Sequence, residues 1–320
     1  MSRLSSASIL IGLAAAALAC LVPLAGARTT PTYTPSLSVS PAAAGSVRFE
    51  VRRNATDLAT YTTEIRVPHA YGATLGQPVG TVIGHVTAGS GRGTLTVAKP
   101  DPRNGCFSVA DGDTAWDVDL DDGTRTLTFQ IYVTPFAGDV TLLRYCLPPD
   151  ATELESIAYT VTGVFTEPAR GTQVWRAQLY PYTAGGAIVD NAAGVGAAAL
   201  VRLPHVVTLA ASYSGRTHRY VVRGSVTESG RAVGHASIRL SSGTKGRALR
   251  PLARVTTDAK GHFSYGGKLS APTPVRFAAS ARVAPRVISP PRCAPINGWP
   301  CMTETASSWA SDSRTVVVRP

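Results

Sequence analysis

The sequence predicts an all-β protein built as a larger N-terminal β-sandwich or barrel followed by a small β-sandwich. Three observations lead there. Apolar and polar residues alternate with period two in one stretch after another, as in Trp116, Val118 and Leu120 set against Asp117, Asp119 and Asp121. Turn formers such as Asp122-Gly123, Gly230 and Asp258 to Gly261 punctuate these stretches. The first half holds about ten such strands and no amphipathic helix.

A length of 320 residues suits two domains, and 44% hydrophobic with 16% charged residues is the composition of a globular chain. At the N-terminus, Arg3 precedes an apolar run from Ile9 to Leu24. Ala25-Gly26-Ala27 then forms the small-residue pattern of a cleavage site. Residues 1–27 therefore read as a secretory signal peptide, which places the product outside the cell or on its surface, with no membrane span in the mature form. Cys20 follows Ala17-Leu18-Ala19, a poor lipidation signal. Residues 28–35 have no periodicity and read as a flexible lead.

Residues 36–204 form the larger unit. Ser36 to Ser40 and Val47 to Arg52 read as strands around a turn at Pro41 to Gly45. Tyr61 to Val67 and Val79 to Val86 follow, and Gly89 to Gly93 reads as a hairpin turn. Thr114 to Val133 reads as a hairpin with a two-residue turn at Asp122-Gly123, pairing Val118 with Leu127 and Trp116 with Phe129. Val140 to Leu147, Ser156 to Phe165, Thr172 to Tyr182 and Val195 to Leu203 complete the set. This half looks like secreted actinobacterial proteins of unknown function, on overall pattern (Val67-Pro68-His69-Ala70-Tyr71, Gly163-Val164-Phe165-Thr166), which implies no activity.

Charge divides the chain. Residues 45–205 hold 12 Arg and Lys against 16 Asp and Glu, whereas residues 206–320 hold 17 against 4. The basic half invites an anionic cell-wall polymer or polysaccharide as partner, with codon bias toward arginine as the competing explanation. No dense basic run speaks for nucleic acid. Four cysteines remain after cleavage, and an even number in an exported chain reads as two disulfides. Of the three pairings, Cys106–Cys146 with Cys293–Cys301 keeps each bond within one half.

Residues 205–320 form the second unit. Gly224, Gly230-Arg231-Ala232-Val233, Ala236, Ile238, Leu240, Thr257-Asp258, Gly261 and Phe263 resemble the carboxypeptidase regulatory-like, transthyretin-like and bacterial Ig-like β modules of exported proteins. The resemblance implies a small sandwich in a supporting, non-catalytic role. Pro274 to Val283 and Ser308 to Val318 supply its last strands. Between them, residues 284–306 read as a disulfide-closed insertion without structure of its own, carrying Trp299 as a candidate recognition residue.

Catalytic motifs are lacking: there is no G-x-S-x-G, H-E-x-x-H or P-loop, and the six histidines are scattered singly on turns or strand faces. The leading expectation is an exported, non-catalytic binding or structural protein of the cell envelope, needing no cofactor. A secreted enzyme acting on cell-wall glycan is the alternative. A calcium site at Asp111 to Asp122 is a third reading, but the spacing departs from an EF-hand loop.

Overall fold

Alternation resolves into strands throughout the computed structural model, which describes residues 33–42, 45–103, 107–110, 113–121, 123–136, 140–183, 194–244, 246–269, 273–292 and 302–319. In the first half these are β1 (Ser36–Pro41), β2 (Ser46–Arg52), β3 (Thr60–Val67), β4 (Gly72–Ala73), β5 (Val82–Ala88), β6 (Gly91–Ala98) and β7 (Thr114–Asp121). β8 (Thr126–Phe136), β9 (Val140–Cys146), β10 (Ser156–Thr162), β11 (Phe165–Thr166), β12 (Gly171–Pro181) and β13 (Val195–Leu203) follow. The second half adds β14 (His205–Ser214), β15 (Arg219–Glu228), β16 (Arg231–Ala232), β17 (Ser237–Thr244), β18 (Arg250–Thr256) and β19 (His262–Lys268). It ends with β20 (Val275–Val283), β21 (Arg286–Arg292), β22 (Met302–Ala306), β23 (Trp309–Asp312) and β24 (Val316–Val318). Among the described residues the one helical element is a single 3₁₀ turn, Pro149–Ala151, and no helix is long and apolar enough to cross a membrane.

The first unit is one 13-stranded sheet in the order β1-β2-β10-β5-β6-β7-β8-β9-β3-β12-β13-β22-β21. It folds over on itself, bringing β1 back beside β13 and β22. The inner faces close on aromatic rings: Trp175 on β12 meets Phe49 on β2 at 6.0 Å and Tyr71 at 5.1 Å, and Tyr145 on β9 meets Tyr159 on β10 at 5.5 Å. All five are buried. Such contacts between distant strands supply the apolar burial that holds a sheet closed.

A buried arginine ties the loop after β2 to this body. Arg53 donates to the carbonyls of Leu154, Asn54, Asp57 and Thr152 at 2.7 to 3.2 Å. The Asp57 carboxylate accepts from the backbone N–H groups of Thr34 and Asn54, both at 3.0 Å. Tyr33 is buried as well and donates to Thr60 Oγ1 at 2.9 Å. The lead expected over 28–35 is therefore anchored from Tyr33 onward, because its one aromatic side chain has a core to enter.

Four further expectations need correcting. The β7–β8 hairpin closes at Asp121 opposite Thr126, so its loop is four residues long and the pairs are Leu120 with Leu127, Val118 with Phe129 and Trp116 with Ile131. The expected register would have set the core residue Leu120 opposite Arg125. A shift of two keeps every side chain on its face and gives Leu120 an apolar partner. The Gly89 turn is shorter than expected: Gly91, Arg92 and Gly93 already pair within β6. His205 lies on neither a turn nor an open strand face but is stacked on Trp309 at 4.5 Å, with its side chain 6% exposed.

The fourth correction concerns residues 284–306. Their described parts are strands: β22 pairs in parallel with β13, from Gly196 opposite Met302 to Leu200 opposite Ala306, and β21 pairs with β22. The expected irregular insertion thus extends the first unit's sheet. Thr303 and Thr305 are buried there, and Ser307 closes the arrangement by donating both N–H and Oγ–H to the Leu200 carbonyl at 3.0 and 2.9 Å. Pairing covers the β13 edge, which would otherwise present free N–H and C=O groups.

The second unit stacks the sheet of β14, β15, β16 and β19 on the sheet of β18, β17, β20, β23 and β24. Tyr220, Val222, Val226 and Phe263 face Ile238, Leu240, Phe277, Ala279 and Ala281 in one buried cluster, with Tyr220 and Phe277 rings 4.9 Å apart. Gly224 alternates with these apolar residues for a steric reason. A Cβ there would lie 2.4 Å from the Phe263 ring and 2.1 Å from the Thr208 carbonyl oxygen.

Candidate functional site

Every second residue of a sandwich strand must face outward, and on the β14-β15-β19 sheet most of those residues are small or cationic, with Val206 and Val221 as apolar exceptions. Thr208, Ala210, Ser225 and Ser264 form a floor on which few side chains stand up. The turn after β18 forms a wall through Thr257 and Asp258, leaving an open trough of about 710 Å³. Thr208 and Ser225 are cross-strand partners whose hydroxyls share a 2.7 Å hydrogen bond.

The wall is built by local chemistry. Thr257 is buried; its hydroxyl donates to the Val233 carbonyl and accepts from the Ala236 N–H, both at 2.8 Å. Asp258 Oδ1 accepts from the N–H groups of His262 and Lys260 at 2.8 and 2.9 Å, and these bonds, His262's first, hold its carboxyl below the usual carboxylate range. The carboxylate therefore stays ionised at the trough's edge, its side chain 58% exposed.

Cations stand on the same sheet face. Arg219 stands directly opposite Lys268, and Arg223 lies four residues along β15, opposite Ala210 on one side and Ser264 on the other. Like charges directly opposite on a sheet are unfavourable. The ion pairs at β14 and beyond, among the described residues, are Arg202 with Glu228, His205 with Glu228 and His262 with Asp258. Arg219, Arg223 and Lys268 thus have no carboxylate within 4.0 Å among the described residues.

The first unit holds a second depression, about 470 Å³, lined by Asp101, Arg103, Asp117, Asp119, Thr128 and Gln130 among others. Gln130 Nε2 donates to Asp117 Oδ1 at 2.8 Å and to the Lys99 carbonyl at 3.1 Å, while its Oε1 accepts from the Asp101 N–H at 2.9 Å. Asp113 leaves this face altogether: its carboxylate is buried against Arg144 at 3.4 Å. Asp111 and Asp122 lie outside the described residues. Among the described ones, no three His, Cys, Asp or Glu side chains gather where a metal ion would be held.

Of the sequence-predicted site residues, Cys146 ends β9 opposite Thr62, and its sulfur is disulfide-bonded. Cys106, Cys293, Cys301 and Trp299 lie outside the described residues; β21 and β22 flank the last three. Sequence reasoning missed one cluster, the polar junction where the two units meet. Glu228 accepts from Trp309 Nε1 at 3.1 Å and lies 3.6 Å from Arg202, and burial raises its carboxyl above the usual range. Arg202 lies 26 positions before it and Trp309 81 positions after it, so no spacing announces it.

Fold and site together define a class: an all-β protein with an open, small-residue trough on its second sandwich and exposed cations on the same sheet face. No protein-family model matches the chain, and no curated protein does.

Proposed function

We propose that this is an exported, non-catalytic protein of the cell envelope whose basic half binds an anionic wall polymer or polysaccharide. The observation that carries this reading is Arg223 on a trough floor of Thr, Ser and Ala, with the opposed pair Arg219–Lys268 further along the same two strands, all three unneutralised among the described residues. Small hydroxylated residues let a saccharide backbone approach closely, and fixed cations meet its carboxylates or phosphates at low ordering cost. The Ig-like resemblance fits such a supporting role. Mature polygalacturonate-free protein should bind polygalacturonate but not neutral dextran, and should release it as salt rises past the point where the screening length falls below about 8 Å. The triple variant Arg219→Gln, Arg223→Gln, Lys268→Gln should weaken capture about tenfold, on the usual worth of exposed ionic contacts. Equal capture of dextran, or capture indifferent to salt, would return the arginines to codon bias.

Export and the pairs Cys106–Cys146 and Cys293–Cys301 belong to the same proposal. The intact mass of the exported product should correspond to a start at Arg28 and should rise on reduction by the hydrogens of two disulfides. A product beginning at a lipidated Cys20, or one unchanged by reduction, would refute this part.

A further inference from the structure

The trough occupies only one face of the small sandwich, and the opposite face repeats its peculiarity. On the outward side of the β18-β17-β20 sheet, Arg239 stands directly opposite Arg254. Arg282, opposite Ser237, lies diagonal to Arg239, whose own β20 partner is Ser280. All three arginines are exposed, and none has a carboxylate within 4.0 Å among the described residues. Asp312 is the nearest acid in the pairing pattern, two strands from Arg239 and opposite Ser280. A like-charged cross-strand pair costs stability wherever it is not neutralised. Here one occurs on each sheet of the same sandwich.

From this we infer a second polyanion-binding face, formed by Arg239, Arg254 and Arg282, so that one copy of the protein bridges two polymer strands. The inference rests on the polyanion reading of the trough. Its geometry is that of any sandwich: two sheets stacked about 10 Å apart carry outward side chains pointing in opposite directions. A polymer lying along one face does not reach the other, so the two sets of cations act on separate strands. Bridging then follows from valency rather than from high affinity at either face.

The test is light scattering of polygalacturonate titrated with the full mature chain, with variants of each face. Wild-type protein should give a scattering maximum at an intermediate ratio that clears in excess protein and in high salt. The variant Arg239→Gln, Arg254→Gln, Arg282→Gln should still capture the polymer, weakened about tenfold by the loss of three exposed contacts, while the maximum disappears. The corresponding Arg→Lys triple should restore the maximum, which separates loss of charge from loss of fold. Joining the Gln substitutions of both faces should abolish capture. A scattering maximum that survives the Arg239, Arg254, Arg282 triple would overturn the second face and leave the trough standing. Wild-type capture without any maximum would overturn bridging alone. Absence of capture by the wild-type chain would overturn the trough reading and this inference together.

Discussion

Trp309→Ala is expected to destabilise the protein by about 4 kcal/mol, the middle of the range for deleting a buried aromatic side chain. Trp309 is 2% exposed, and its ring lies parallel to His205 within 15°. Its indole N–H supplies one of the polar contacts of Glu228, so truncation both empties a buried site and strips a donor from a buried carboxylate. Trp309→Phe should retain most of the packing and lose the hydrogen bond, costing about 1 kcal/mol. Urea unfolding of the three proteins measures this. A Trp309→Ala loss below that of Trp309→Phe would show that the junction contributes little to holding the fold together.

Acid should weaken the folded state through the same junction. Burial pushes the His205 imidazole down to about 4, and neither ring nitrogen has a hydrogen-bond partner among the described residues to support a charge. In the unfolded chain the ring takes up a proton near pH 6.5; in the folded protein it does so only near 4. The stability this provides is therefore complete above pH 6.5 and is lost as pH falls toward 4, about 3 kcal/mol in all. The groups facing the ring modify the curve. Glu228, 3.9 Å from Nδ1, has its carboxyl raised by burial, with Arg202 and Arg286 opposing, so the folded state protonates it more readily than the unfolded chain does. That gain offsets part of the histidine loss at the acid end of the window. His205→Phe should flatten the fall in unfolding free energy between pH 7 and pH 5, and Glu228→Gln should leave it at least as steep. An unchanged slope in His205→Phe would place the acid sensitivity elsewhere.

Several parts of the structure were legible in the residues. Tyr220, Val222 and Val226 are buried as their alternation requires, and Asp258 to Gly261 makes the expected tight turn with Gly261 at φ +75°. Other parts were not. The β7–β8 pairing came out two residues from expectation because alternation specifies which face a side chain takes and is blind to any even shift. The choice between registers fell to the loop and to the need to keep Arg125 from standing opposite Leu120. Trp309, by contrast, gave no local signal at all, since its importance lies in partners 81 and 104 positions away.

Most strand segments, turns such as Asp258 to Gly261, and the division into an acidic half and a basic half could be read from the residues alone. These follow from period-two geometry and residue chemistry, which act over a few positions. Long-range packing alone brought β22 away from the small sandwich to pair in parallel with β13, and gathered Arg202, His205, Glu228 and Trp309 at one site. A strand edge accepts any strand of suitable face, so its partner is selected by the burial gained when the whole sheet closes, a quantity that no local stretch of sequence contains.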